Sequence, residues 1–139
     1  MKVFLVDTNV IVDVLTRDPT WSQWSGETIQ RCADLGTLAI NPIIYAELSL
    51  GFERVEDLEA ALPVSEWRRL PLPWPAAFLA GRSFGAYRRR GGTRHAPLPD
   101  FYIGAHAAFE GLTLITRDAA RYRTYYPRLD LIAPDAISL

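Results

Sequence analysis

Four acids stand out along this 139-residue chain for the company they keep: Asp7, Glu47, Asp100 and Asp118. Asp7 closes an apolar run and opens the segment Asp7-Thr8-Asn9. Glu47 has Ile43, Ile44, Leu50 and Gly51 at helical spacing. A carboxylate in such a surround is costly unless something pairs with it, and no lysine or arginine lies at helical spacing to do so. A cation held jointly by several acids would. Hard divalent cations prefer oxygen ligands, and Mg²⁺ in particular combines a few carboxylates with water and substrate phosphate. Each acid also has a plainer use. Asp7, Thr8 and Asn9 suit a helix cap, and Asp100 and Asp118 suit the first turn of a helix, where the dipole favours negative charge. Glu47 has no such alternative.

The elements around these residues alternate between strand and helix. Lys2 to Val6 is a short, nearly continuous apolar run, expected of a strand buried on both faces. A helix starts at Thr8–Asn9, with Ile11, Val12, Val14 and Leu15 behind it. Trp21 to Leu35 reads as a second helix, with Gly36 at its C′ position. Thr37 to Ile40 is a strand, and Asn41-Pro42 opens a helix as cap and first residue. Val55 to Leu62 reads as helix and Trp67 to Leu72 as an edge strand. Pro75 to Arg90 is a helix stopped by Gly91-Gly92, and Asp100 to Glu110 one stopped by Gly111. Leu112 to Thr116 is a strand, Asp118 begins a helical turn, and Leu129 to Ile132 is the last strand.

This alternation predicts a three-layer α/β fold over residues 1–139, with a mostly parallel central sheet flanked by helices. In such a sheet ligands sit outside the carboxyl ends of the strands. Asp7 follows its strand directly, Asp118 follows the strand Leu112 to Thr116 by two residues, and Asp100 opens the helix leading into that strand. Glu47 lies about 9 Å along its helix from Asn41, at about 1.5 Å per residue, within a glutamate's reach of the same edge. All four acids are therefore expected at one place.

Composition bounds the rest. The chain is 49% hydrophobic and 22% charged with a net charge of −1, so it is ordinary globular material and not a generally basic nucleic-acid binder. No apolar run is long enough for a membrane span and no secretory-type segment opens the chain, so a cytoplasmic, membrane-free protein is expected. One cysteine, Cys32, excludes an internal disulfide and a cysteine metal cage; it is expected in the core. Fourteen arginines accompany the single lysine, Lys2. Arg88, Arg89, Arg90 and Arg94 could grip nucleic-acid phosphates or simply solvate a helix end. His106, flanked by Ile103 and Phe109, reads as a packed helix residue, while His95 sits in a loop.

The segments VFLVDTNVIVDVL, NPIIYAELSLGF, LPDFYIGAHAAFEGLTLITRDAARY and YPRLDLIAP closely resemble PIN domains, and more narrowly VapC-type toxins of bacterial toxin–antitoxin pairs. The likeness spans nearly the whole chain and is weakest between Val55 and Arg94. It implies that Asp7 from DTN, Glu47 from YAEL, Asp100 from LPDFYIGAHA and Asp118 from TRD bind Mg²⁺ or Mn²⁺ and catalyse endonucleolytic cleavage of RNA. It further implies products with a 5′-phosphate and a 3′-hydroxyl, a cognate antitoxin partner, and a homodimer. Thr8, Asn9, Thr116 and Arg117 are then placed to hold water or phosphate oxygens around the acids. Trp21 and Trp24, otherwise core residues, would border the antitoxin groove.

Two other readings stay open. A HAD-type phosphatase also begins with an apolar strand ending in Asp, but its chemistry needs a second aspartate two residues on as general acid; that position is Asn9. A non-catalytic PIN-like binding module would not need all four acids.

Overall fold

The computed structural model describes residues 2–94 and 98–134. Its centre is a five-stranded sheet in the order β3-β2-β1-β4-β5, with every pairing parallel. The strands are β1 (Lys2–Val6), β2 (Gly36–Ile40), β3 (Arg68–Arg69), β4 (Thr113–Ile115) and β5 (Asp130–Ile132). The helices are α1 (Thr8–Leu15), α2 (Ser22–Leu35), α3 (Pro42–Leu48), α4 (Val55–Ala61), α5 (Trp74–Arg89), α6 (Pro99–Glu110) and α7 (Ala120–Tyr125). Phe4, Leu5 and Val6 of β1, Leu38, Ala39 and Ile40 of β2, and Leu114 and Ile115 of β4 are all buried. Side chains alternate across a strand, so consecutive burial means that helices cover both faces. None of the described helices is long and apolar enough to cross a membrane.

The topology decides where a site can form. The chain starts in the middle with β1, steps outward through β2 to β3, then returns to β4 on the other side of β1. Connections leaving β1 and β4 therefore diverge at their carboxyl ends, opening a crevice there. Asp7 ends β1 with its N–H bonded to the Ile115 carbonyl at 2.8 Å, and Thr116 follows β4. The edge strand β3 has only two residues, both exposed arginines, which discourages pairing with another chain.

Helix boundaries follow local chemistry. Asn41 accepts the Ile44 N–H at 3.0 Å and Pro42 takes the first helical position, so α3 begins as expected. Gly111 ends α6 in the left-handed region at φ 68°, where glycine has no Cβ penalty. Gly36 behaves differently from the C′ residue expected. Its backbone is extended (φ −171°) and it is the first residue of β2. A Cβ there would lie 2.2 Å from the Lys2 carbonyl oxygen, so close approach to β1 is what demands glycine. The expected helical turn at Asp118 starts two residues later, at Ala120, and the edge strand shrinks from Trp67–Leu72 to two residues. Cys32 is buried in the core.

Candidate active site

A cleft of about 440 Å³ opens at the carboxyl ends of β1 and β4, and Asp7, Glu47, Asp100 and Asp118 all line it. Leu98, Ile103 and Val12 supply an apolar wall. A larger hollow of about 640 Å³ lies between α3 and the β3 edge, but its lining from Ile40 to Pro71 contains no acid. Volume does not single out the chemistry here; the carboxylates do.

Asp7 is the deepest of the four, 6% exposed. Its Oδ1 accepts the Thr8 N–H at 2.8 Å, which makes it the N-cap of α1. Its Oδ2 accepts the Thr116 hydroxyl at 2.8 Å and the Tyr122 hydroxyl at 2.9 Å. The capping and cleft uses of Asp7 therefore coexist, one oxygen each. Burial pushes its pKa up to about 6, against the lowering effect of its three hydrogen bonds, and the Glu47 charge adds to the rise. The Tyr122 hydroxyl is held well above its ordinary pKa by burial and by the charges of Asp7, Asp100 and Glu47. It is a permanent donor.

Glu47 sits on α3, half-buried, and accepts the Thr8 hydroxyl on Oε1. This partner is a neutral hydroxyl, so the absence of a lysine or arginine at helical spacing stands. The partner comes from another helix, where a search at helical spacing could not find it. Asp100 occupies the first turn of α6 and is ion-paired with Arg121 on α7. Asp118 is exposed; its N–H donates to Thr116 Oγ1 at 3.1 Å, so this one hydroxyl connects the Asp7 and Asp118 segments.

The remaining expected residues fall close by, in unequal situations. Thr8 and Thr116 touch the acids directly. Asn9 lines the cleft and accepts the Arg117 N–H at 3.2 Å. Arg117 also lines it, but its guanidinium is committed to Asp13, at 2.9 and 3.0 Å. Arg88 donates to the Arg94 carbonyl, and Arg88, Arg89 and Arg90 are exposed at the end of α5. His106 is fully buried between Asn41 and Glu110, and His95 lies outside the described residues. Trp21 and Trp24 are half-buried and meet edge to face at 6.5 Å.

Three residues escaped the sequence reading. Tyr122 and Arg121 were visible only as members of a basic, aromatic stretch after Asp118. Asp13, buried on α1, holds Arg117 and also accepts the Ser25 hydroxyl at 2.8 Å; its place further along the helix that Asp7 caps carried no distinguishing signal.

The donor set around the cleft is all oxygen, which suits a hard divalent cation. Among the described residues no group of three acids, histidines or cysteines stands close enough to cage an ion. Mg²⁺ does not require such a cage; one or two carboxylates with water and a phosphate suffice, and this cleft meets that demand.

A family model for the PIN domain matches residues 4–126. A search of curated proteins finds no significant match. Solved structures share the fold. A chain of VapBC2 from Rickettsia felis, bound to a DNA fragment from its promoter, is 22% identical with a TM-score of 0.73, covering 96% of this chain and 99% of that one. FitAcB from Neisseria gonorrhoeae is also 22% identical, with a TM-score of 0.71 and the same coverage. DNA-bound VapBC from Salmonella typhimurium is 24% identical with a TM-score of 0.69, covering 96% and 98%.

Proposed function

The chain belongs to the PIN domain family, and on that premise we propose that it is a divalent-metal-dependent endoribonuclease, the toxin of a type II toxin–antitoxin pair. The observation that carries the reading is the meeting of Asp7, Glu47, Asp100 and Asp118 on one cleft at the switch point of the sheet. These four would hold Mg²⁺ or Mn²⁺. A bound ion supplies an activated water and offsets charge on phosphorus and the leaving oxygen.

This chain's residues do the positioning. Thr116 and Tyr122 fix the inner oxygen of Asp7, and the Thr8 hydroxyl orients Glu47. Preset carboxylates need less reorganisation when the phosphodiester arrives. The apolar wall of Val12, Leu98 and Ile103 limits water on one side of the reacting group. Hydrolysis gives a 5′-phosphate and a 3′-hydroxyl in this scheme.

Partners follow from the same reading: an RNA substrate, a cognate antitoxin, and a second copy of the chain, in the cytoplasm. Solved structures that share this fold include VapBC complexes, which supports the antitoxin partner. The phosphatase alternative loses ground because Asn9, at the general-acid position, has its Oδ1 accepting the Arg117 N–H.

The test is cleavage of total cellular RNA with Mg²⁺ or Mn²⁺. Asp7→Asn, Asp100→Asn and Asp118→Asn should each abolish it while circular dichroism stays native. Cleavage that persists in excess EDTA defeats the metal mechanism. In cells, growth arrest on expression should vanish in Asp100→Asn; arrest of equal strength in both would mean that toxicity does not come from catalysis.

A further inference from the structure

Beside the acid cleft lies a second basin of about 610 Å³, sharing Asp100, Asp118 and Arg121 with it. Its other walls are Tyr87, Arg90, Thr124 and Tyr125. Two guanidinium groups here rest on aromatic rings. Arg90 lies 5.6 Å from the Tyr125 ring centre. Arg121 lies 5.5 Å from that of Tyr87 and 5.4 Å from that of Phe101. Those rings are themselves braced: Phe101 meets Tyr87 and Tyr125 edge to face, at 5.6 and 5.3 Å.

Among the described residues no acid pairs with Arg90, and Arg121 spends a single nitrogen, Nη1, on Asp100. Both arginines therefore keep donors free on guanidinium groups held in place by cation–π attraction to the rings. The structure also divides the arginine run at the end of α5. Arg88 is turned onto the Arg94 carbonyl and Arg89 does not line the basin; Arg90 alone does.

We propose that this basin binds the unpaired ribonucleotide next to the bond being cut, with its phosphate on Arg90 and Arg121 and its base against a ring-backed guanidinium plane. The inference rests on the nuclease reading and deepens it. The basin adjoins the acid cleft along Asp100, Asp118 and Arg121, so a strand lying in one runs toward the other. A phosphate passing four acids needs nearby positive charge, and Arg117 is spent on Asp13. A platform of guanidinium and tyrosine side chains is reachable by a splayed base and not by one inside a duplex. The substrate segment is accordingly single-stranded.

The experiment is fluorescence anisotropy of a labelled single-stranded RNA octamer in EDTA at low salt, where no cleavage intervenes. Wild type should bind, and Arg90→Gln should weaken binding roughly tenfold and lower the salt slope by about 0.7 for the lost phosphate contact. Arg90→Lys should restore the slope without restoring the affinity, because lysine keeps the charge and loses the plane. Tyr125→Leu should weaken binding several-fold. Arg31→Gln, on the exposed face of α2, should stay within twofold of wild type. The proposal is overturned if wild type does not bind, if Arg90→Gln matches Arg31→Gln, or if duplex RNA binds as tightly as the single strand. Tighter binding of single-stranded DNA overturns the assignment to RNA. A chain that cuts no RNA yet loses strand affinity in Arg90→Gln keeps the subsite and loses the nuclease reading. A chain that cuts RNA with Arg90→Gln indistinguishable from wild type does the opposite.

Discussion

Arg121 Nη1 lies 3.1 Å from Asp100 Oδ2 and 3.2 Å from Oδ1, so the acid cleft carries its own cation. Four bare acids would repel one another, and neutralising one would stabilise the metal-free protein. The ion pair changes that sign for Asp100. In EDTA, Asp100→Asn should melt no higher than wild type.

Arg121→Gln exposes the repulsion that the guanidinium masks. It should cost about 1 kcal/mol or less without metal, the range of a partly exposed pair. Its affinity for Mn²⁺ should rise several-fold, because no internal cation competes for Asp100. Isothermal calorimetry and thermal melting with and without Mn²⁺ read both effects. An unchanged Mn²⁺ affinity would show that Arg121 does not compete with the ion.

Asp7 gives a pH signature. Its folded pKa of about 6 exceeds the ordinary 3.8, so between those values the folded state holds a proton that the unfolded chain has released. Stability from this group is present at the acid end of the window and is lost as pH rises through about 6. The full difference is on the order of 2–3 kcal/mol at about 1.4 kcal/mol per unit. Urea midpoints in EDTA from pH 4.5 to 7.5 should fall more steeply for wild type than for Asp7→Asn. Parallel curves would mean that Asp7 is not desolvated in solution.

Asn41 ties the start of α3 to the core of α6. Its Oδ1 caps Ile44, which leaves Nδ2 to donate to His106 Nδ1 at 3.0 Å, while His106 Nε2–H meets Glu110 at 3.0 Å. Asn41→Ala should cost about 2 kcal/mol, roughly 1 for the cap and the rest for the unpaired buried imidazole nitrogen. Asn41→Ser, which keeps a cap acceptor, should fall between wild type and Ala in urea unfolding. A cost for Asn41→Ala no larger than a surface change would refute the buried link.

Arg117 and Asp13 test a second pair. Asp13 is 2% exposed, so among the described residues Arg117→Gln leaves a buried carboxylate with the Ser25 hydroxyl alone. The expected cost is about 2–4 kcal/mol. Arg54→Gln, opposite the exposed Glu56, should cost under about 0.5 kcal/mol. Adding Asp13→Asn to Arg117→Gln should recover part of the loss. Equal costs for the two arginine variants would place Asp13 in solvent.

Much of the frame was legible in the sequence because it is local. The unbroken apolar run of β1, the Asn41-Pro42 start of α3 and the Gly111 stop of α6 each depend on residues a few positions apart. Parallel alternation then forces strand ends to one edge, so the meeting of Asp7, Glu47, Asp100 and Asp118 also followed from order along the chain.

The partners of those acids did not follow. Thr8 reaches Glu47 from 39 positions away, Tyr122 reaches Asp7 from 115, and Arg117 reaches Asp13 from 104. Such contacts depend on how each helix is rotated about its axis and where it crosses its neighbours. Packing of the whole core decides those quantities, and no local spacing encodes them. The same holds for Gly36: its position suggested a helix stop, and only the approach of the Lys2 carbonyl reveals why a side chain cannot stand there. The sequence alone determined which edge of the sheet would gather the acids; tertiary packing decided which are charged against a partner, which are buried, and which arginines remain free to meet a phosphate.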